Sequence, residues 1–231
     1  MKYGLIVFDW DGTLMDSEAR IIDCMQAAVS DLGLAPPSRQ RIRDIIGLGL
    51  KEAVETLLPS TEPEAIEEIT LRYRHHFLEE NATPSVLFPG AQDVVEWLRT
   101  RGYLLAVATG KGRRGLDRAL RETGLGGSFH ATRCADETRS KPHPAMLLEI
   151  MNELGVSAQD TLMVGDTEYD VLMAKNAGAS AMAVSYGVHE RTRLLAHRPV
   201  GCVDDLFALR DWISSSEAAA FSARAEGSST A

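Results

Sequence analysis

Cysteine and positive charge are both scarce in this sequence. The 231 residues include three cysteines, and Cys24, Cys134 and Cys202 form neither a CxxC pair nor a Cys/His cluster. The sequence therefore supports neither a disulfide framework nor a zinc site. Lysine and arginine number 24 against 33 aspartates and glutamates, which gives a net charge of −9. A field of this sign repels nucleic acid and anionic membranes, so we expect neither as a partner.

Long hydrophobic runs are missing as well. No stretch approaches the roughly 18 apolar residues that a membrane-spanning helix needs. The N-terminal run GLIVF ends at Asp9, which makes it too short for the apolar core of a signal sequence. Unpaired cysteines suit a reducing compartment. We therefore expect a cytoplasmic protein, and the oligomeric state stays open between monomer and dimer.

The apolar residues that are present fall into short runs with little polar alternation. These runs, LIVF, LLAVA, TLMV and AMAV, occupy residues 5–8, 104–108, 161–164 and 181–184. Strands that are apolar on both faces are typical of a parallel sheet covered on both sides. Amphipathic helical patterns such as GAQDVVEWLRTRG and PAMLLEIMNELG separate them. The sequence therefore predicts an α/β fold with a doubly wound parallel sheet.

One interval, residues 16–87, departs from this alternation because it holds only amphipathic helix patterns. A simple crossover between parallel strands needs far fewer residues. We therefore predict a small all-helical domain inserted after the first strand, with residues 1–15 and 88–213 forming the core domain. From residue 214 onward the chain is rich in Ser and Ala, and we expect residues 214–231 to be disordered.

Carboxylates follow two of the predicted strands. Asp9 and Asp11 come after the first strand, in VFDWDGTLMDS, and Asp166 and Asp170 follow the run TLMV, in MVGDTEYD. The carboxyl ends of parallel strands meet at one edge of a sheet, so these side chains are expected to converge. Clustered carboxylates repel one another unless a cation intervenes, and oxygen donors of this kind favour Mg²⁺. Turn or helix capping is the alternative explanation for these aspartates.

Candidate phosphate-binding groups are expected at the same edge. Thr109 closes the run LLAVAT and offers a hydroxyl beside the backbone N–H of Gly110, and Lys141 lies in the constrained loop RSKPHP. Lysine suits phosphate as a mobile point charge, although a lone lysine is usually solvated. Anion donors that face a metal site are the arrangement that a phosphoryl group requires.

Four segments resemble, in order, the motifs of the haloacid dehalogenase (HAD) superfamily. They are D-W-D-G-T-L at 9–14, V-A-T-G at 107–110, S-K-P-H-P at 140–144 and G-D-T-E-Y-D at 165–170. The helical insert resembles the small C1 cap of that superfamily, and the remainder resembles its Rossmannoid core. Within the superfamily the chain is most similar to the branch of phosphoglycolate phosphatases and pyrophosphatases.

The resemblance implies catalytic roles for the residues of these motifs. It makes Asp9 the nucleophile that forms an aspartyl-phosphate, and Asp11 the acid for the leaving oxygen and then the base for water. It makes Thr109, Gly110 and Lys141 the binding site of the phosphoryl oxygens. A carboxylate nucleophile of this kind divides hydrolysis into two displacements.

The same resemblance implies a metal site. Mg²⁺ is expected on Asp166, on Asp9 and on the backbone carbonyl of Asp11. Asp170 is expected to support both the metal and Lys141 from nearby. Metal and donors together stabilise charge on the oxygens of the transferred phosphoryl group.

The loop TGKGRRG also contains a G-x-G-x-x-G pattern, with Asp136 at a spacing that suits a ribose ligand. The dinucleotide pattern belongs in a strand-helix unit whose backbone cups the pyrophosphate. Here it follows a later strand, and the resemblance already assigns phosphate binding to Thr109. We therefore favour a phosphatase loop over a nicotinamide site.

One departure from the superfamily pattern concerns substrate contacts. Many members have Asn or Ser where this chain has Gly110, so one side-chain contact to substrate is missing. Lys111, Arg113 or Arg114 could replace it, although surface solvation is the expectation for all three. The leaving group is expected to be selected by the cap helices and by the loop IGLGL at 46–50, whose glycines permit close approach.

The predicted function is that of a Mg²⁺-dependent phosphatase acting on a small, phosphoglycolate-like phosphomonoester. Dehalogenases of the superfamily lack the second aspartate of the first motif, whereas Asp11 is present. Phosphonatases use a cap lysine, but Lys51 falls on the polar side of its helix pattern, and sugar phosphomutases usually have Arg where Leu50 aligns. A β-phosphoglucomutase-like mutase, a pyrophosphatase and a non-catalytic metal- or phosphate-binding module are the alternatives.

Overall fold

A six-stranded parallel sheet forms the centre of the molecule. The computed structural model describes residues 2–227, with side chains described for residues 2–216. The strands are β1 (Leu5–Phe8), β2 (Met15–Asp16), β3 (Val86–Leu87), β4 (Leu104–Thr109), β5 (Ala131–Cys134), β6 (Thr161–Gly165), β7 (Ser180–Val184) and β8 (Gly201–Val203). The sheet has the order β5-β4-β1-β6-β7-β8, and every neighbouring pair in it is parallel.

Helices connect the strands, and those outside residues 16–87 cover the two faces of this sheet. They are α1 (Glu18–Ser30), α2 (Arg39–Arg43), α3 (Leu50–Leu57), α4 (Pro63–His75), α5 (Ala91–Thr100), α6 (Arg113–Thr123), α7 (Ala145–Leu154), α8 (Glu168–Asn176), α9 (Arg191–Ala196) and α10 (Leu206–Gly227). A π-helical turn, His76–Glu80, extends α4. The predicted α/β fold with a doubly wound parallel sheet is confirmed.

The four central strands, β4, β1, β6 and β7, are buried on both faces, as their uninterrupted apolar sequence predicts. In β1, Ile6 and Phe8 belong to an apolar cluster that includes residues of α5 and α10. Leu5 and Val7 belong to a second cluster that includes residues of α7 and α8. Because side chains alternate along a strand, each helical layer packs on every second residue.

The interval predicted to be helical, residues 16–87, holds α1 to α4 and the π-helical turn. A third apolar cluster lies almost entirely within it. The members of that cluster include Ile22, Met25, Ile42, Val54 and Ile69. The sequence predicts no strand here, yet the ends of the interval pair as a short antiparallel ribbon, with Met15 opposite Leu87 and Asp16 opposite Val86. Two residues per strand are too few for a periodic pattern to be recognised.

The C-terminal segment differs in part from its prediction. Helix α10 runs to Gly227, so residues 214–227 have helical backbone where disorder is the expectation. The segment is rich in Ala and also contains Glu and Arg, which are among the strongest helix formers. Residues 228–231 lie outside the described residues, and for them the prediction stays untested. Among the described residues, no helix combines the length and the apolar character needed to cross a membrane.

Candidate active site

The carboxyl ends of β1, β4 and β6 meet at one edge of the sheet. Asp9 follows β1, Thr109 ends β4 and Asp166 follows β6. Because β1 lies between β4 and β6, the loops after these three strands are neighbours. The predicted site side chains gather there and are each 8% exposed or less: Asp9, Asp11, Thr109, Lys141, Asp166 and Asp170.

The loop after β1 turns sharply enough to contact the loop after β6. Gly12 has a φ of +85°, in the left-handed region that glycine adopts without a steric penalty. A Cβ at Gly12 would also lie 2.8 Å from Asp166 Oδ1. Thr13 Oγ1 donates to that same oxygen at 2.8 Å, and the backbone N–H of Val188 donates to Asp166 Oδ2 at 2.9 Å. Asp166 is therefore fixed through both of its oxygens.

Lys141 links two of the aspartates. Its ammonium lies 2.8 Å from Asp9 Oδ1 and 2.6 Å from Asp170 Oδ1. Asp170 Oδ2 in turn accepts from the Thr167 backbone N–H at 3.1 Å and from the Thr167 hydroxyl at 2.6 Å, which forms a capping box at the start of α8. The helix-capping explanation for Asp170 is therefore correct as far as it goes, and the same carboxylate also holds Lys141.

Burial governs the protonation of this cluster. Desolvation raises the pKa of Asp9 well above its usual value; the charge of Lys141 opposes that rise and the charges of Asp170 and Asp166 add to it. Burial, together with the charge of Asp170, raises the pKa of Asp166 to about 7. Burial acts to lower the pKa of Lys141, but attraction to Asp170 and Asp9 leaves that pKa raised. Ionising all three carboxylates would place more negative charge here than one lysine balances, so their full ionisation requires a further cation.

The carboxylate cluster suits a hard divalent cation. Oxygens of Asp9, Asp166 and Asp170 lie within 4.8 Å of one another, and Asp9 Oδ2 is buried with no hydrogen-bond partner among the described side chains and backbone. Such an oxygen is costly to bury unless a cation neutralises it. Since carboxylate oxygens are preferred ligands of Mg²⁺, the residues present fit a magnesium ion.

The carboxylate of Asp11 has other partners. Ser17 Oγ donates to Asp11 Oδ1 at 2.6 Å, and Lys111 Nζ donates to both Asp11 oxygens at 2.9 Å. Asp11 is not among the described carboxylates that group together as a metal site. The expected metal contact through the Asp11 backbone carbonyl stays a prediction.

Lys111 differs from the expectation that it is solvated. Its side chain is 8% exposed, and its ammonium lies 4.3 Å from the centre of the Phe77 ring as well as on Asp11. Its backbone N–H donates to Thr109 Oγ1 at 3.1 Å. The expectation fails because Asp11 and Phe77, which contact the Lys111 ammonium, lie far from Lys111 in sequence. Local sequence does not predict contacts of this kind.

The other residues of the TGKGRRG loop argue against a dinucleotide site. Asp136, the residue spaced for a ribose, accepts from the backbone N–H of Arg113 at 3.0 and 3.1 Å and so caps α6. The Arg113 guanidinium pairs with Glu137 at 2.7 Å and is only partly exposed, which departs from the expected solvation. Arg114 is exposed, as expected.

A cavity of about 660 Å³ lies between these residues and the helical insert. Asp9, Asp11, Thr109 and Gly110 line it from the core. Residues 45–53, together with parts of α4 and the π-helical turn, line it from the insert. The volume is that of a small-molecule pocket, so the predicted nucleophile faces a space that suits a small ligand.

The loop between α2 and α3 is tied to one loop of the core and to the first turn of α8. The backbone N–H of Gly49 donates to Ser140 Oγ at 2.6 Å, and the Tyr169 hydroxyl donates to the Asp44 carbonyl at 2.8 Å. Ser140 precedes Lys141 and Tyr169 precedes Asp170. The insert is therefore anchored beside the same residues that hold Asp9.

Gly110 lies directly beneath this loop of the insert. A Cβ at Gly110 would be 2.6 Å from the Gly47 carbonyl oxygen and still nearer to that of Leu48. The absence of a side chain at position 110, noted in the sequence as a missing substrate contact, thus leaves room for the backbone of residues 47–48.

Sequence reasoning missed several partners of the predicted residues. Thr13 and Ser140 lie inside the quoted motifs, close in sequence to Asp9 and Lys141. Their place in these motifs could have identified them as residues of the site. Ser17 also lies in a quoted segment, VFDWDGTLMDS, six residues after Asp11. Phe77 carries no local signal, because its contact with Lys111 depends on how the insert folds back.

Comparison with known proteins shows the family of this chain. Residues 6–184 match a family model described as haloacid dehalogenase-like hydrolase. The match covers most of the chain, so the protein belongs to the haloacid dehalogenase-like hydrolase family and is an enzyme of that family. The resemblance predicted from the four motifs is confirmed.

Individual relatives are similar along most of their length. "Probable phosphatase IndB" from Dickeya dadantii (strain 3937) is 38% identical over 204 residues, which are 87% of this chain and 89% of that protein. "Phosphoglycolate phosphatase 1" from Pseudomonas aeruginosa is 33% identical over 208 residues, 87% of this chain and 76% of that protein. A solved hydrolase from Pseudomonas syringae has a TM-score of 0.84 at 21% identity, covering 92% of this chain and 98% of that one; it shows a shared fold.

Proposed function

We propose that this protein is a Mg²⁺-dependent phosphatase that hydrolyses a small, phosphoglycolate-like phosphomonoester through an aspartyl-phosphate on Asp9. The observation that carries the proposal is the position of Asp9. It is buried against Lys141, grouped with Asp166 and Asp170, and lines a cavity sized for a small ester. Relatives whose names include phosphatase and phosphoglycolate phosphatase support the same class of reaction.

In the first displacement an Asp9 oxygen attacks phosphorus, and the bond between phosphorus and the ester oxygen breaks. Lys141, 2.8 Å from Asp9, orients the carboxylate and offers a positive charge to the phosphoryl oxygens. The Thr109 hydroxyl and the Gly110 backbone N–H are the neutral donors of the same site. Mg²⁺, held by Asp9, Asp166 and the Asp11 carbonyl, supplies further stabilisation of the phosphoryl charge when bound.

Asp11 handles the protons of both displacements. As the ester bond breaks, its carboxylic acid donates a proton to the leaving oxygen and releases the alcohol. The resulting carboxylate then takes a proton from water while the water oxygen attacks phosphorus, which frees phosphate and regenerates Asp9. The hydrogen bond from Ser17 at 2.6 Å holds Asp11 in place for both steps.

We further propose that residues 16–87 act as a cap over the core formed by residues 1–15 and 88–213. The anchors from Gly49 to Ser140 and from Tyr169 to Asp44 close the cavity beside the reacting groups. Such closure excludes water that would compete with the ester and strengthens the electrostatic contacts inside.

The alternatives receive less support from this geometry. Lys51 is exposed, whereas a lysine that forms a Schiff base is usually desolvated. Leu50 stands where mutases of the superfamily usually have Arg, and the absence of that arginine favours hydrolysis. We also propose a cytoplasmic site of action on a small phosphorylated metabolite; the three cysteines are free thiols, which suits a reducing compartment.

The test is phosphate release from a panel of phosphoglycolate, sugar phosphates and pyrophosphate, measured with Mg²⁺ and with EDTA. Asp9→Asn is expected to lower phosphoglycolate hydrolysis by at least about 10³-fold. Asp93→Asn, which removes an exposed carboxylate on α5, is the matched control and is expected to keep wild-type activity. Absence of phosphate release from every ester by folded wild-type protein would contradict the proposal, and conversion of a sugar 1-phosphate to its 6-phosphate without net phosphate release would favour the mutase.

A further inference from the structure

Lys111 is a buried cation that the proposed mechanism leaves without a task. Lysine and arginine residues that line the cavity among the described residues are Lys51, Arg74, Lys111 and Arg114. Lys51, Arg74 and Arg114 are exposed, whereas the Lys111 side chain is 8% exposed. A charge held away from water interacts more strongly with a ligand than one at the surface.

The place of the Lys111 ammonium is fixed from two sides. Its two hydrogen bonds, both 2.9 Å, go to the oxygens of Asp11. Behind it lies the ring of Phe77, with 4.3 Å between ammonium and ring centre. Phe77 belongs to the π-helical turn, and Arg20 holds it there by donating to its carbonyl at 2.6 Å while lying 4.8 Å from its ring centre.

Asp11 also fixes where the alcohol part of the substrate lies. To receive a proton from Asp11, the ester oxygen must come within about 2.6–3.2 Å of that carboxyl group. Lys111 Nζ is 2.9 Å from the same group. The atoms that follow the ester oxygen in the substrate therefore lie beside the ammonium of Lys111.

We infer that Lys111 is a specificity-determining residue that selects phosphate esters of 2-hydroxy carboxylic acids, by pairing with the carboxylate next to the carbon that bears the phosphate. The inference rests on the proposed function, since it takes Asp11 as the acid. A carboxylate in this position lies one carbon away from the ester oxygen and so within reach of Lys111. An ammonium has three donors and Asp11 takes two of them, so an anionic ligand can be bound without loss of the Asp11 contact.

The experiment compares two substrates that differ in one group, phosphoglycolate and its neutral amide, 2-phosphoglycolamide. The readout is the ratio of kcat/KM for the acid to kcat/KM for the amide. Because a hydrogen bond to a charged group is involved, wild type is expected to favour the acid by roughly 10- to 100-fold. Lys111→Met is expected to bring the ratio close to one, and Lys111→Arg, which keeps the charge, to restore most of the preference.

Lys175→Met is the matched control, since it makes the same substitution on the exposed surface of α8; it is expected to keep the wild-type ratio. Thermal unfolding checks that each variant is folded, and the wild-type ratio tests the inference without any variant. A wild-type ratio near one, or an equal loss on both substrates in Lys111→Met, would overturn the assignment of Lys111 while leaving the phosphatase proposal intact. Hydrolysis of neither substrate, nor of any other ester, would overturn both.

Discussion

Gly110 offers a direct way to test whether the insert reaches the active site during the reaction. Its φ lies outside the left-handed region, so its backbone accommodates alanine without strain. The obstacle is external: the new Cβ would lie 2.6 Å from the Gly47 carbonyl oxygen and nearer still to that of Leu48. An ordinary contact starts near 3.4 Å, so Gly110→Ala requires residues 47–48 to withdraw by roughly 1 Å.

A withdrawal of this size has a predictable kinetic effect. It pulls on the hydrogen bond between Gly49 and Ser140, which is 2.6 Å long, and opens the cavity beside Asp9 and Asp11. Misplacement of about 1 Å in a positioned site costs up to about 10²-fold in rate. We therefore expect Gly110→Ala to lower kcat/KM for phosphoglycolate by roughly 10- to 100-fold, with little change in melting temperature because the core is untouched.

The assay is steady-state phosphate release by wild type, Gly110→Ala and Gly127→Ala. Gly127 is the matched control, because no atom lies within 4 Å of the place its Cβ would take and its φ is outside the left-handed region. Wild-type kinetics are expected for that control. Activity of Gly110→Ala within about twofold of wild type would show that the loop does not lie over Gly110 in the reacting complex.

Three further predictions concern the cluster and its anchors. The pKa of Asp166 is raised to about 7, so the free energy of unfolding of the metal-free protein falls as pH rises from about 4 to 7, by up to roughly 4 kcal/mol. Asp166→Asn should therefore raise the melting temperature of metal-free protein at pH 8 and have no such effect near pH 4. The same substitution should abolish stabilisation by Mg²⁺. Lys141→Met should destabilise metal-free protein by about 3–5 kcal/mol in urea denaturation, because it leaves buried carboxylates unpaired, whereas a loss below about 1 kcal/mol would contradict the described pairing. Ser140→Ala should lower kcat/KM about threefold to tenfold by releasing Gly49, and an unchanged value would show that this anchor is absent during turnover.

The sheet, and the edge of the sheet at which the site residues gather, can be predicted from local sequence because both depend on short-range patterns. Apolar runs such as residues 5–8 predict strands buried on both faces, and the rule that parallel strands end at one edge brings Asp9 and Asp166 together. The motifs then identify Lys141 and Asp170 in the correct neighbourhood. These parts require no knowledge of how the insert packs.

The parts that sequence reasoning missed depend on contacts between distant segments. The burial of Lys111 is set by Asp11 and by Phe77, and the closeness of Gly110 to residues 47–48 is set by the insert. Local propensity carries no information about either contact. Helix α10 was missed for a different reason, since the helix propensity of its Ala-rich end outweighs the lack of large apolar residues.

If the phosphoryl group passes through Asp9, the aspartyl-phosphate can be trapped during turnover. Enzyme is mixed with ³²P-phosphoglycolate and Mg²⁺, quenched in acid within milliseconds, and reduced with borohydride, which converts an aspartyl-phosphate to homoserine. We expect acid-stable protein-bound label before reduction, homoserine at position 9 in the digested peptide, and neither product in Asp9→Asn. Rapid phosphate release with no labelled protein at any time point, and with aspartate unchanged at position 9, would contradict it.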